Sequence, residues 1–177
     1  MNNNSIVKKV LNKSFKLFFL MLICIFILSG CGIENVMEET RLCKEAKEEK
    51  DSVFEYLKNE DAKSLSELFS QNEKESHNLE EEWKTFFDEV DGKFVDFDDS
   101  SFTEIRRTFS EGKLTFLVVQ AQFKDVKTDT GHIYETITYS KTLKSEHDIN
   151  DEGIDGFSLC KGTDENNDLI MLYVGYD

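Results

Sequence analysis

The sequence predicts an α+β protein in which N-terminal helices pack on one curved antiparallel sheet, and three observations carry that prediction. Apolar residues recur at helical spacing as far as Val90, the period shortens to about two from Lys93 onward, and Gly, Asn and Asp punctuate the strand-like runs. Helices followed by hairpin-linked strands have a single sheet to cover, so they are expected on its concave face.

Glu38 to Leu57 reads as a helix because Leu42, Ala46, Val53 and Leu57 share a stripe, with Cys43 and Phe54 beside it and Glu and Lys elsewhere. Asn59 and Asp61 break it. Asp61 can cap a second, shorter helix that buries Leu65, Leu68 and Phe69, and Gln71 to His77 reads as a polar connection. Asn78, with Glu81 three places on, makes a capping-box-like start for a third helix carrying Leu79, Trp83, Phe86, Phe87 and Val90 and ending before Gly92.

Phe94 to Phe97 and Phe102 to Phe109 are short strands, and Glu111-Gly112 is a tight turn into the strongest strand, Leu114 to Val126. Along it Leu117, Val119, Ala121 and Phe123 face the core. Asp129-Thr130-Gly131 is the next turn, with Gly131 suited to a left-handed bulge position. His132 to Leu143 follows, expected to place Ile133, Ile137 and Tyr139 on one face and His132, Tyr134, Thr136 and Thr138 on the other. A polar loop from Ser145 to Gly153, a strand from Ile154 to Lys161, an acidic turn from Thr163 to Asp168 and a closing strand from Leu169 to Tyr176 complete the chain. There is no internal repeat, and one domain is expected over residues 38–177.

The N-terminus has a different character. Lys8, Lys9, Lys13 and Lys16 precede a twelve-residue apolar run, Leu17 to Leu28, and then Ser29, Gly30 and Cys31. The run is shorter than the roughly 20 residues that cross a bilayer, and its layout is that of an export signal. Leu28-Ser29-Gly30-Cys31 resembles the lipobox of bacterial lipoproteins. The resemblance implies that residues 1–30 are removed, that the Cys31 thiol carries a diacylglyceryl group, with N-acylation as a further modification, and that residues 31–37 form a short tether. The expected address is the extracytoplasmic face of the cell membrane.

The 177-residue chain has a formal charge of −15, and losing the four lysines of residues 1–30 brings it to −19. Such a balance excludes nucleic acid, which is bound by neutralising phosphates. It equally opposes flat contact of the body with anionic lipid, and any partner attracted by charge would be cationic. Of the four cysteines, Cys24 lies in the apolar run and Cys31 in the lipobox; Cys43 and Cys160 can form a disulfide or remain free thiols.

Candidate chemistry is sparse. On a face lining an internal cavity, His132 could act as an acid or base and Tyr134 could donate to a ligand; on a solvent face the same row is ordinary strand surface. Asp148, Asn150, Glu152 and Gly153 match the first half of a calcium loop, but Leu159 stands where its closing Glu belongs. Asp164, Asn166 and Asp168 alternate similarly, with Leu169 in the place of the Gly. No metal-ligand spacing, phosphate loop or nucleophile elbow is present in the sequence, so no metal, cofactor or catalytic residue is assigned and the reading leans away from an enzyme.

Phe123 to Gly131, Tyr134, Gly153-Ile154 and the earlier Asn59 to Ser70 resemble a family of bacterial lipoproteins known as a domain of unknown function, number 5104. The resemblance implies a Gram-positive lipoprotein and a cone similar to the cystatin-like and nuclear-transport-factor-two-like folds, in which helices cap a bent sheet; it carries no catalytic residues. The expected function is that of a membrane-anchored binding or interaction module with an unidentified protein or small-molecule partner. An enzyme with a His132–Tyr134 pocket and a self-protection protein capturing cationic peptides are the alternatives.

Overall fold

The computed structural model describes residues 34–163 and 169–176. The export-signal segment, Cys31 and nearly all of the acidic turn from Thr163 to Asp168 therefore lie outside the described residues. Among the described residues four helices come first: α1 over residues 34–58, α2 (Ala62–Glu67), α3 (Gln71–Ser76) and α4 (Leu79–Glu89). Six strands follow: β1 (Phe94–Asp96), β2 (Asp99–Ser110), β3 (Lys113–Thr128), β4 (Ile133–Ser145), β5 (Gly153–Thr163) and β6 (Leu169–Val174). They form one curved, unclosed antiparallel sheet of order β1-β3-β4-β5-β6, with β2 beside β1 along the same edge of β3. Register shifts in every strand pair bend it.

The helix α1 starts earlier than the apolar stripe suggested, so residues 34–37 are helix rather than tether. Nothing in Glu34 to Met37 breaks a helix, and Asn35 anchors the first turn to the β2–β3 hairpin, its side chain donating to the Gly112 carbonyl and accepting from the Leu114 N–H. Glu38–Lys144, Glu39–Arg107 and Glu49–Lys141 ion pairs at 2.9, 2.7 and 2.6 Å then fasten α1 across β4 and β2. Its buried stripe is Ala46, Val53, Phe54 and Leu57, interrupted by a buried lysine, Lys50. The Lys50 ammonium reaches the Ser100 hydroxyl and lies 5.8 Å from the centre of the Phe123 ring, which keeps a charge tolerable on an otherwise apolar stripe.

Asp61 caps α2 as its position suggested, accepting from the Ser64 N–H at 3.0 Å. Gln71–Ser76 is helix rather than loop, because Ser70 accepts from the Glu73 N–H. Ser70 and Glu73 have capping-box spacing, a signal present in the sequence. Asn78 begins α4 through its backbone carbonyl, with no side-chain capping bond. The chain between α2 and α3 meets the start of β5: Ser70 N–H donates to Ile154 and Ile154 N–H to Leu68. Gly153, with φ of 140°, makes this approach possible, since a Cβ there would stand 2.4 Å from the Ser70 nitrogen.

The two predicted turns take the expected backbone. Glu111 and Gly112 both have positive φ, 50° and 77°, as a two-residue hairpin requires. Gly131, at 87°, closes the β3–β4 turn. Inward residues of β3 run Leu117, Val119, Ala121 and Phe123, then change phase to Val126 and Thr128. Asp125, with φ of 50°, sits at that change.

Opposite it β4 changes phase as well, which corrects the expected faces: Tyr134 is core together with Ile137 and Tyr139, whereas Ile133 is exposed. The space between helices and sheet is filled by aromatic rings, with Trp83 at the hub, its ring centre 5.0 to 6.3 Å from those of Phe69, Phe86, Phe87 and Phe157.

Candidate functional site

The sequence-predicted pair does not line a cavity. His132 and Tyr134 are neighbours, ring centres 4.4 Å apart, but His132 stands at the surface near Asp91 while Tyr134 is buried. The Tyr134 hydroxyl accepts the Asp91 N–H at 2.7 Å, so it holds the turn after α4 against β4. The adjoining Lys93 N–H donates to Asp129, which completes this staple.

The half calcium loop is held by the protein's own donors. Asp148 accepts from the Asn150 N–H, Asn72 donates to Asp151, and Glu152 accepts from the Ser145 N–H. Among the described residues no group of three or more His, Cys, Asp or Glu side chains stands close enough to share a metal ion, and Cys43 and Cys160 are free thiols. Asp164, Asn166 and Asp168 lie outside the described residues. No described helix is long and apolar enough to cross a membrane.

One carboxylate near this loop is perturbed. Burial pushes Asp155 from its ordinary 3.8 up to about 6; the Thr142 hydroxyl, donating at 3.1 Å, acts against the shift, and nearby Glu73 and Asp151 add to it. A raised folded-state value means that the folded protein binds the proton more tightly than the unfolded chain, so this group's contribution to stability falls as pH rises through about 4 to 6. Asp155→Asn still accepts from Thr142 but cannot ionise. It is expected to raise stability at pH 7.5 by about 1 kcal/mol, a value kept modest by the carboxylate's partial hydration, and to have little effect near pH 4. Urea unfolding of both proteins at the two pH values measures this, and an effect independent of pH would overturn it.

Of the clefts on the described surface, two bear on recognition. The first, about 390 Å³, lies between α1, the α2–α3 link and β4–β5; its lining is mixed polar and apolar, and Lys141 there is already paired with Glu49. The second, about 440 Å³ and predominantly apolar, runs between α4 and β6. Phe86 and the Met171–Tyr173 segment line it together with three glutamates, Glu81, Glu82 and Glu89. Glu82 accepts from the Gly175 N–H and faces His77 at 3.0 Å, while His77 faces Glu73 at 3.3 Å; this chain of contacts fixes α3, α4 and the end of β6 relative to one another. The groove therefore lies between elements tied to one another, and it combines a mainly apolar lining with three carboxylates. It was hidden from sequence reading, because its two walls are about 90 residues apart in the chain and share no motif.

Fold and surface together define an α+β domain with a packed interior and its concavities on the outside. The chain belongs to the family described as Domain of unknown function (DUF5104), whose family model matches residues 52–162. That span runs from the last two turns of α1 almost to the end of β5 and so takes in α2 to α4 and most of the sheet. No curated protein matches this chain.

Proposed function

We propose that this protein is a lipid-anchored interaction module on the outer face of the cell membrane. The observation that carries the reading is the filled interior: Trp83, Phe69, Phe86, Phe123, Tyr139 and Phe157 occupy the space in which a cone-like fold would hold a small ligand. Recognition is thereby left to the surface, where the α4–β6 groove is the most apolar of the open clefts described above. The helical layer on an unclosed sheet supports placing the domain among cystatin-like and nuclear-transport-factor-two-like cones. The Leu28-Ser29-Gly30-Cys31 motif, after a basic and apolar leader, supports export, diacylglyceryl attachment at Cys31 and a Gram-positive lipoprotein context. The acidic body is repelled by anionic headgroups and held by the anchor alone.

The expected result is that protein extracted from membranes has an intact mass corresponding to a chain starting at lipidated Cys31, and that Cys31→Ala abolishes this processing. An unmodified chain in the soluble fraction would overturn the anchor. Cross-linking in intact cells is expected to trap the protein with another protein. Recovery of monomer alone, together with loss of cellular function in a folded His132→Ala variant, would overturn the interaction reading in favour of an enzyme.

A further inference from the structure

Three independent features meet on the outer side of β6. The strand ends the sheet order, and among the described residues no strand pairs with its free edge. Soluble proteins usually guard such an edge with charge or cover it, and the opposite edge strand, β2, carries Glu104, Arg106 and Arg107. The β6 sequence, LIMLYV, has no charged residue, and Leu169, Ile170 and Tyr173 are 64%, 43% and 54% exposed.

The helix α4 packs against β6, and Asn78, Glu81, Thr85 and Glu89 recur along one of its stripes as a wall of the groove between them. From Asn78 to Glu89 that stripe is about 16 Å long, and six residues of strand extend about 17 Å, so the groove has the length of one added strand. The wall is acidic, since three glutamates and no lysine or arginine line the groove. Among the described residues the Glu81 and Glu89 carboxylates pair with Lys84 and Lys161 at 3.4 and 3.8 Å, and Lys161 also donates to the Glu89 carbonyl at 2.9 Å; such surface pairs exchange at little cost.

We propose that β6 pairs edge to edge with an extended segment of a protein partner in which Lys or Arg alternates with apolar residues. Backbone hydrogen bonds to the free edge supply affinity, and alternate side chains supply specificity. Basic side chains on the α4 side lay their stems over Phe86 and Leu172 and reach Glu81 and Glu89; apolar side chains on the other face lie beside Met171 and Tyr173. A second copy of this chain is a poor occupant, because it brings a formal charge of −15 and the same acidic wall. An anionic membrane surface is repelled for the same reason. The proposal rests on the reading of the protein as an interaction module and names the kind of partner.

The test uses the full-length chain in detergent and an end-blocked, fluorescein-labelled peptide alternating lysine and valine. The controls are a glutamate–valine peptide and two lysine–valine peptides N-methylated at alternate positions, one in each register, which retain the charge but remove the donors along one edge. The lysine–valine peptide is expected to bind and to weaken at least about tenfold as salt rises from about 50 to about 300 mM. The glutamate peptide and one methylated register are expected to bind at least about tenfold more weakly, with the other register unaffected.

The double variant Glu81→Lys/Glu89→Lys should lose the lysine–valine peptide. Equal binding by both methylated registers, salt-independent binding, no binding at about millimolar peptide, or self-association that the peptide competes away would each overturn the proposal. Such a failure leaves the anchored-module reading in place, because that reading depends on the Cys31 mass and on cross-linking, neither of which involves β6.

Discussion

Trp83→Ala is expected to lower unfolding stability by about 3–5 kcal/mol, a large share of what a domain of this size possesses. Trp83 is fully buried and touches rings from the α2–α3 link, its own helix and β5, so truncation opens a void where the helical layer meets the sheet. Its indole nitrogen is buried and meets no hydrogen-bond partner among the described residues. An orphaned donor costs about 1–3 kcal/mol, so Trp83→Phe removes that cost while losing only part of the packing. The phenylalanine variant is therefore expected to be destabilised by less than about 2 kcal/mol, a far smaller loss than alanine causes. Urea unfolding followed by far-ultraviolet circular dichroism ranks the three proteins. Equal losses in the two variants would show that the indole N–H is satisfied in solution.

Gly153→Ala is expected to cost about 3 kcal/mol or more, the sum of two effects at one atom. The backbone there has φ of 140°, a region that side chains resist, and the new Cβ would meet Ser70 and Phe69 backbone atoms at 2.4 to 2.7 Å. Backbone cannot swing aside as a flexible side chain can, so the α2–α3 link must separate from β5. Native-state hydrogen exchange is expected to show the Ser70 and Ile154 amides, which close that contact, losing protection ahead of the rest of the sheet. Gly112→Ala is the control. It has φ of 77° with open space around it, so only the conformational strain of about 1–2 kcal/mol applies. Similar losses at both positions would mean that the contact with Ser70 contributes nothing.

Local signals made most of the architecture legible. The Ala46–Leu57 stripe, the Asp61 cap and the Glu111-Gly112 and Gly131 turns act within a few residues, and each does in the structure what its neighbours in sequence implied. The change from helical to alternating period did the same for the order of layers. The early start of α1 was not legible, because it depends on Asn35 meeting Gly112 across 77 residues. The α3 helix had its signal in Ser70 and Glu73, and only the polarity of the segment concealed it.

What the sequence determined by itself was the fold class, the acidic character of the protein and the absence of a recognisable catalytic motif, since these follow from composition and short-range periodicity. Tertiary structure alone decided which face of β4 is core. Strict alternation grouped Tyr134 with His132, but the change of phase opposite Asp125 turns Tyr134 inward to the Asp91 N–H, and no periodicity rule anticipates a left-handed residue in mid-strand. It likewise decided that the interior is filled and that an acidic helix stripe lies beside an uncharged edge strand. Packing and edge pairing are relations between distant segments, and a linear pattern carries no record of which segments meet.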